Sequence, residues 1–145
     1  MERILEQIPR FFSGPNMTLL LEAAGLTLAM TLTGCLIGFG LAFVLVYLRQ
    51  TPGMWALPLR WICITYVEVF RRIPFIVVIY LVLFFIQAVT PDASLFTIAV
   101  IAICLYAVAY TADIIRGGIE SVPITQVEAA QSMNLSRLQT NIRII

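Results

Sequence analysis

The chain has 145 residues, 61% hydrophobic and 12% charged, with a formal net charge of +1 and a mean hydropathy of +0.97. A soluble domain this short leaves too much of its surface exposed to hide that much apolar area, so the composition points to an all-α, polytopic helical membrane protein. The nine basic residues are all arginine, with no lysine and no histidine, which excludes from this chain a P-loop lysine, a Schiff-base lysine, a Ser-His-Asp triad and a His-ligated metal. Cys35, Cys63 and Cys104 are far apart in apolar runs without CxxC spacing and read as small buried hydrophobes.

Residues 1–16 carry Glu2, Arg3, Glu6 and Arg10 and end in Ser13-Gly14-Pro15. That order does not suit a signal peptide, which needs a basic stretch followed directly by an apolar core. Ile4, Leu5, Ile8, Phe11 and Phe12 fall near helical spacing, predicting an amphipathic segment external to the membrane.

The first span is predicted near 19–48, with Glu22 at its outer end. Leu26–Leu48 contains no charge and is long enough to cross a hydrocarbon core of ~30 Å. Gly34 and Gly38 form one GxxxG, a spacing that suits close helix packing in lipid but also arises by chance in apolar runs. Arg49-Gln-Thr-Pro-Gly53 ends the span with a cation and a turn.

A second span is predicted near 67–89, preceded by a helical stretch from Pro58 and divided by Glu68, Arg71, Arg72 and Pro74. Pro74 marks a helix start or kink, and Glu68 is placed to reach Arg71 or Arg72. Thr90-Pro-Asp-Ala-Ser94 is a turn, and the third span is predicted near 95–116. Asp113 and Arg116 are spaced to pair, while Gly117-Gly118 is expected to break the helix and separate Arg116 from Glu120. Three spans with Arg49, Arg60, Arg71, Arg72, Arg116, Arg137 and Arg143 on one side and Asp92 opposite put the amino terminus outside and residues 117–145 in the cytoplasm.

Beyond the third span, Thr125-Gln-Val-Glu128 fits a capping box for a helix from Gln126 to about Met133. Asn134 stands at the position after its end, where a left-handed residue is favoured, and Ser136-Arg-Leu-Gln139 fits a second capping box. Glu128 thus has two readings, helix capping and docking, which do not exclude each other. A helix–turn–helix for DNA is disfavoured, because only Arg137 and Arg143 face phosphates while Glu120 and Glu128 oppose them.

These residues resemble the transmembrane permease subunits of ABC importers, in the branch that takes up polar amino acids. Glu128-Ala129-Ala130 matches the E-A-A of that family's cytoplasmic loop, E-A-A-x3-G-x9-I-x-L-P. Asn134 replaces its Gly, and Ile144 falls on its Ile. Tyr66–Pro74 is similar to the family's Y-x-E-x-F-R-G-T-P segment, with Arg72 and Ile73 for Gly and Thr. Tyr110–Ile119 is similar to Y-x-A-E-x-x-R-G-G-I, with Asp113 for Glu, and Gly25–Leu28 resembles the start of the first span. Glu22-Ala-Ala24 is a second E-A-A without the Gly-like residue.

The resemblance implies a permease domain over 17–145, incomplete at its C-terminus, in the bacterial plasma (inner) membrane. It further implies a second permease subunit, identical or homologous, and a cytoplasmic ABC ATPase dimer that carries ATP and magnesium, so that this chain binds no cofactor and is not an enzyme. A periplasmic or lipid-anchored amino-acid-binding protein delivers the cargo. Thr125, Glu128, Ala129, Ala130 and Asn134 are the expected ATPase-coupling residues. Glu68, Arg71, Arg72, Tyr110, Thr111, Asp113 and Arg116 are candidates for the pathway or gate, since ionisable groups at membrane depth are functional candidates and arginine suits carboxylates. Rival readings are a non-transporting assembly subunit, a permease for another small solute, and an intramembrane enzyme; the last lacks a paired acidic motif around Glu68 or Asp113.

Overall fold

Small residues decide how the two longest helices meet. The computed structural model describes residues 14–51, 53–136 and 139–140. Helix α1 covers Gly14–Gln50 and α4 covers Leu95–Glu120, and they share the most extensive interface in the chain. Gly34 and Gly38 are buried in it. A Cβ on Gly34 would lie 2.7 Å from Ile103 Cγ2, and one on Gly38 would lie 2.7 Å from Ala107 Cβ and 3.1 Å from the Cys104 carbonyl oxygen. The GxxxG is therefore a packing face: without side chains there, the α4 backbone approaches α1 closely. Because Gly34 meets Val100 and Ile103 while Gly38 meets Cys104, Ala107 and Val108, the two helices run in the same direction.

Parallel neighbours need a chain that returns between them. A short 3-10 turn at Met54–Ala56 leads into α2, Leu57–Arg72, and α3 follows at Phe75–Val89. The segment expected as one span at 67–89 is thus two helices, bent by 115° where they meet. Pro74 is the cause: it holds Ile73 extended at ψ 129° and has no N–H for a continuing helix, so α2 stops and α3 begins after it. Among the described residues two helices are long and apolar enough to cross a membrane, or three crossings result if the bent pair counts as one. At 37 residues, α1 reaches roughly 55 Å, longer than a ~30 Å hydrocarbon core. It takes in residues 14–16, which the sequence assigned to the external segment; the remainder of that segment, with Ile4, Leu5, Ile8, Phe11 and Phe12, lies outside the described residues.

The interior is built from small side chains. Ala42, Ala102 and Ala109 are completely buried, and Ala42, Val46, Val67 and Ala112 form one cluster joining α1, α2 and α4. Large apolar residues such as Leu32, Leu36, Phe39 and Phe84 face outward, the arrangement expected where the surroundings are lipid rather than water. Cys63 is buried, but Cys35 is exposed, contrary to its reading as a core residue. It is next to Gly34 in sequence, and the helical turn that puts Gly34 against α4 carries Cys35 off that face.

Helix α4 opens at Ser94, whose Oγ accepts a hydrogen bond from the Thr97 amide at 3.1 Å. It continues through Gly117 and Gly118, which were expected to break it, and ends at Glu120. Arg116 spans the glycine pair by donating two hydrogen bonds to Glu120, at 2.8 and 2.7 Å, and Ser121 Oγ donates to the Gly118 carbonyl at 2.7 Å. These contacts offset the ~1 kcal/mol by which each glycine disfavours a helix.

Candidate functional site

Two segments far apart in sequence converge where α2 ends. Asp113, on α4, bridges two arginines: its Oδ2 is 3.0 Å from Arg71 Nη1 on α2, and its Oδ1 is 3.1 Å from Arg116 Nη2. With Arg116 bound to Glu120, the four form a chain of alternating charge, Arg71–Asp113–Arg116–Glu120. Asp113 is the most enclosed member, its side chain 22% exposed, and Glu120 the most open at 61%. Spacing along one helix predicted Asp113–Arg116, but Arg71–Asp113 crosses between helices and has no sequence signal. Glu68 takes Arg72 at 3.1 Å, the four-residue alternative of the two foreseen, which leaves Arg71 free for Asp113.

Aromatic hydroxyls reinforce the same junction. Tyr110 Oη donates to the Arg71 carbonyl at 3.3 Å and accepts from Tyr106 Oη at 2.9 Å. One turn deeper, Tyr66 Oη donates to the Leu105 carbonyl at 2.6 Å. The Tyr66 bond satisfies a part-buried hydroxyl that would otherwise be costly to bury, while the Tyr110 and Tyr106 bonds are at exposed positions. Tyr66 and Glu120 were not picked as site residues, yet Tyr66 ties α2 to α4 and Glu120 ends the charge chain on α4 by holding Arg116. Thr111 is half-buried on α4, and the structure gives it no bond to this cluster.

Past α4, Ser121-Val122-Pro123 leads to α5, Ile124–Ser132. The N-cap is Pro123, not Thr125, and no side chain caps the helix, so the capping box at Thr125-x-x-Glu128 does not form. Pro123, at φ −58° and ψ 134°, starts the helix two residues earlier than expected and leaves Thr125 and Glu128 on its first turns. Thr125, Glu128 and Ala129 are exposed, while Ala130 is buried at 1%. Helix α5 takes no part in the main interfaces among α1 to α4.

The end of α5 follows the expected chemistry. Asn134 has φ 57°, a left-handed value that Asn tolerates better than most residues. The Leu135 amide donates to the Ala130 carbonyl at 3.1 Å and the Asn134 amide to the Gln131 carbonyl at 2.9 Å, a complete Schellman turn. Ser136 and Gln139 then form the second capping box reciprocally: Ser136 N–H donates to Gln139 Oε1 at 2.9 Å, and Gln139 N–H to Ser136 Oγ at 3.3 Å. The expected continuation of that helix, with Arg143 and Ile144, lies outside the described residues, as do Arg137 and Leu138.

A bundle of long apolar helices with small-residue contacts, followed by the short helix α5, defines a helical membrane component. The chain belongs to the family of binding-protein-dependent transport system inner membrane components, whose family model matches residues 34–145. It is 31% identical to the L-cystine transport system permease protein TcyB of Bacillus subtilis over 82% of this chain and 50% of that protein. It is 33% identical to the octopine transport system permease protein OccM of Rhizobium radiobacter over 87% of this chain and 54% of that protein. It is also 32% identical to the glutamate/aspartate import permease protein GltK of Escherichia coli over 90% of this chain and 61% of that protein. The chain thus spans about half to three-fifths of the length of these relatives. No solved structure matches it significantly.

Proposed function

We propose that this chain is the permease subunit of an ABC importer for polar amino acids, forming part of the membrane pathway and coupled to a separate ATPase through α5. The observation that carries this reading is the family match over residues 34–145, joined to three relatives whose names specify amino-acid or opine transport. These 145 residues include no lysine for a P-loop, and in this reading a separate subunit supplies the energy of ATP. A second permease subunit completes the pathway, and an amino-acid-binding protein delivers the cargo.

In this reading three crossings place residues 117–145 on the cytoplasmic side, the bent α2–α3 pair returning the chain between α1 and α4. Helix α5 presents Glu128 and Ala129 to the ATPase, Glu128 meeting a basic group and Ala129 allowing close approach. The Schellman turn at Asn134 and the box at Ser136–Gln139 hold the docking unit in shape independently of the bundle. Glu68, Arg71, Arg72, Tyr110, Thr111, Asp113 and Arg116 line the pathway or gate, and a cargo carboxylate reaching Arg71 must compete with Asp113.

The test is ATP-dependent amino-acid uptake by the assembled transporter in proteoliposomes. Glu128→Arg should lower uptake by at least tenfold, or release the ATPase, while membrane insertion persists. Normal uptake with normal ATPase co-purification would overturn the coupling role.

A further inference from the structure

We infer that the ends of α1 and α4 form a binding site for an anionic phospholipid, with its phosphate in an arginine-lined cavity and an acyl chain in the adjoining groove. The cavity, of about 280 Å³, is lined by Val46, Arg49, Gln50, Arg60, Arg116 and Glu120. It sits at the last residues of α1 and α4, the two helices among the described residues that are long and apolar enough to cross a membrane.

Its charge is unbalanced. Glu120 is taken by Arg116, so that pair is neutral within itself. Arg60 Nε donates to the Arg49 carbonyl at 3.0 Å, which fixes the Arg60 side chain over the end of α1 without neutralising it. The Arg49 guanidinium has no hydrogen-bond or ion-pair partner among the described residues. Arg116 Nε is buried and likewise unpartnered among the described residues. Two uncompensated guanidiniums, Arg49 and Arg60, lining one cavity call for an anion with several acceptor oxygens, and a phosphate supplies them.

The neighbouring groove indicates where that phosphate comes from. Val46 and Gln50 line both the arginine cavity and a second cavity of about 410 Å³, whose other walls include Phe43, Tyr47, Ile115 and Ile119. Gly118 also lines it, with open space where a Cβ would lie. From Gln50 to Phe43 the groove leads back along α1 into the apolar span. A charged end at the membrane boundary joined to an apolar channel running inward matches the shape of a lipid, whereas a free phosphate would leave the groove unused. Basic pockets between spanning helices bind lipid headgroups by this chemistry.

The test uses the protein in nanodiscs of phosphatidylcholine with one-fifth phosphatidylglycerol, followed by native mass spectrometry of the released protein. A parallel arm titrates inorganic phosphate against thermal stability in neutral detergent. Wild type should retain phosphatidylglycerol, and R49Q/R60Q should lose that retention by roughly tenfold or more. Arg49→Gln alone, which removes no bond within the chain, should show a smaller loss, so that misfolding cannot explain the result. Equal retention in wild type and both variants would overturn the site. Arg49-dependent stabilisation by inorganic phosphate without lipid retention would overturn the lipid assignment.

Discussion

Arg71 Nη1 and Asp113 Oδ2 stand 3.0 Å apart across the junction of α2 and α4, the one charge pair among the described residues that links two different helices. Arg71 is 39% exposed and Asp113 22%, so the pair is only partly withdrawn from solvent screening. A double-mutant cycle on Arg71→Gln and Asp113→Asn, read from thermal unfolding in detergent, should give a coupling of about 1 kcal/mol. The more exposed Glu68–Arg72 pair should give no more than ~0.5 kcal/mol in the same assay. Equal couplings would show that Arg71–Asp113 is merely another surface contact.

The glycines of α1 are not equivalent. Gly38→Ala puts a methyl 2.7 Å from Ala107 Cβ and close to backbone atoms that cannot rotate away, so it should destabilise the chain by roughly 1–3 kcal/mol. Gly40→Ala meets nothing within 4 Å and should be neutral or stabilising by up to ~1 kcal/mol. Melting temperatures of the two variants should move in opposite directions or differ by several degrees.

Gly117 has open space around it, so packing does not explain a glycine inside α4. Gly117→Ala should fit and stiffen this turn by ~1 kcal/mol. If bending here accompanies the transport cycle, uptake by the assembled transporter will fall several-fold while ATPase co-purification is unchanged. Unaltered uptake would show that the turn stays helical throughout.

Asn134 and Thr125 should respond differently. Asn134→Val forces a β-branched residue to φ 57° and should cost about 1–2 kcal/mol, while Asn134→Gly should be tolerated. Thr125→Ala removes no cap, because Pro123 holds the N-cap position, and should change stability by less than ~0.5 kcal/mol. Hydrogen exchange across residues 124–135 reads both effects. Increased exchange in Thr125→Ala comparable to that in Asn134→Val would restore the capping role to Thr125.

Much of this architecture was legible in local chemistry. The Gly34–Gly38 spacing, Pro74 as a helix boundary, Asn134 as a left-handed stop and the Ser136–Gln139 box depend on residues within a few positions of each other, and each is where its spacing places it. Tertiary relationships were not legible. Glu68 was placed to reach Arg71 or Arg72, and the choice of Arg72, with Arg71 taken by Asp113, could not be read because nothing in the sequence reveals which faces of α2 and α4 meet. Gly117-Gly118 was read from propensity alone, and the Arg116–Glu120 fork that keeps the helix intact presupposes the helix it supports. Thr125-x-x-Glu128 had the right letters for a cap, but Pro123 had already set the chain for helix entry. The basic cavity shows only after folding, because Arg49, Arg60 and Arg116 come from three different helices.

The most direct test of the coupling account is cross-linking from α5. Ala129→Cys, in a background with Cys35, Cys63 and Cys104 replaced by serine, places a thiol on an exposed position of the short helix. In the assembled transporter a short thiol–thiol cross-linker should join it to a single-cysteine P-loop ATPase subunit, with a yield that changes between ATP-bound and nucleotide-free states. Absence of any cross-link in both states, from a complex that still co-purifies and transports, would contradict docking through α5.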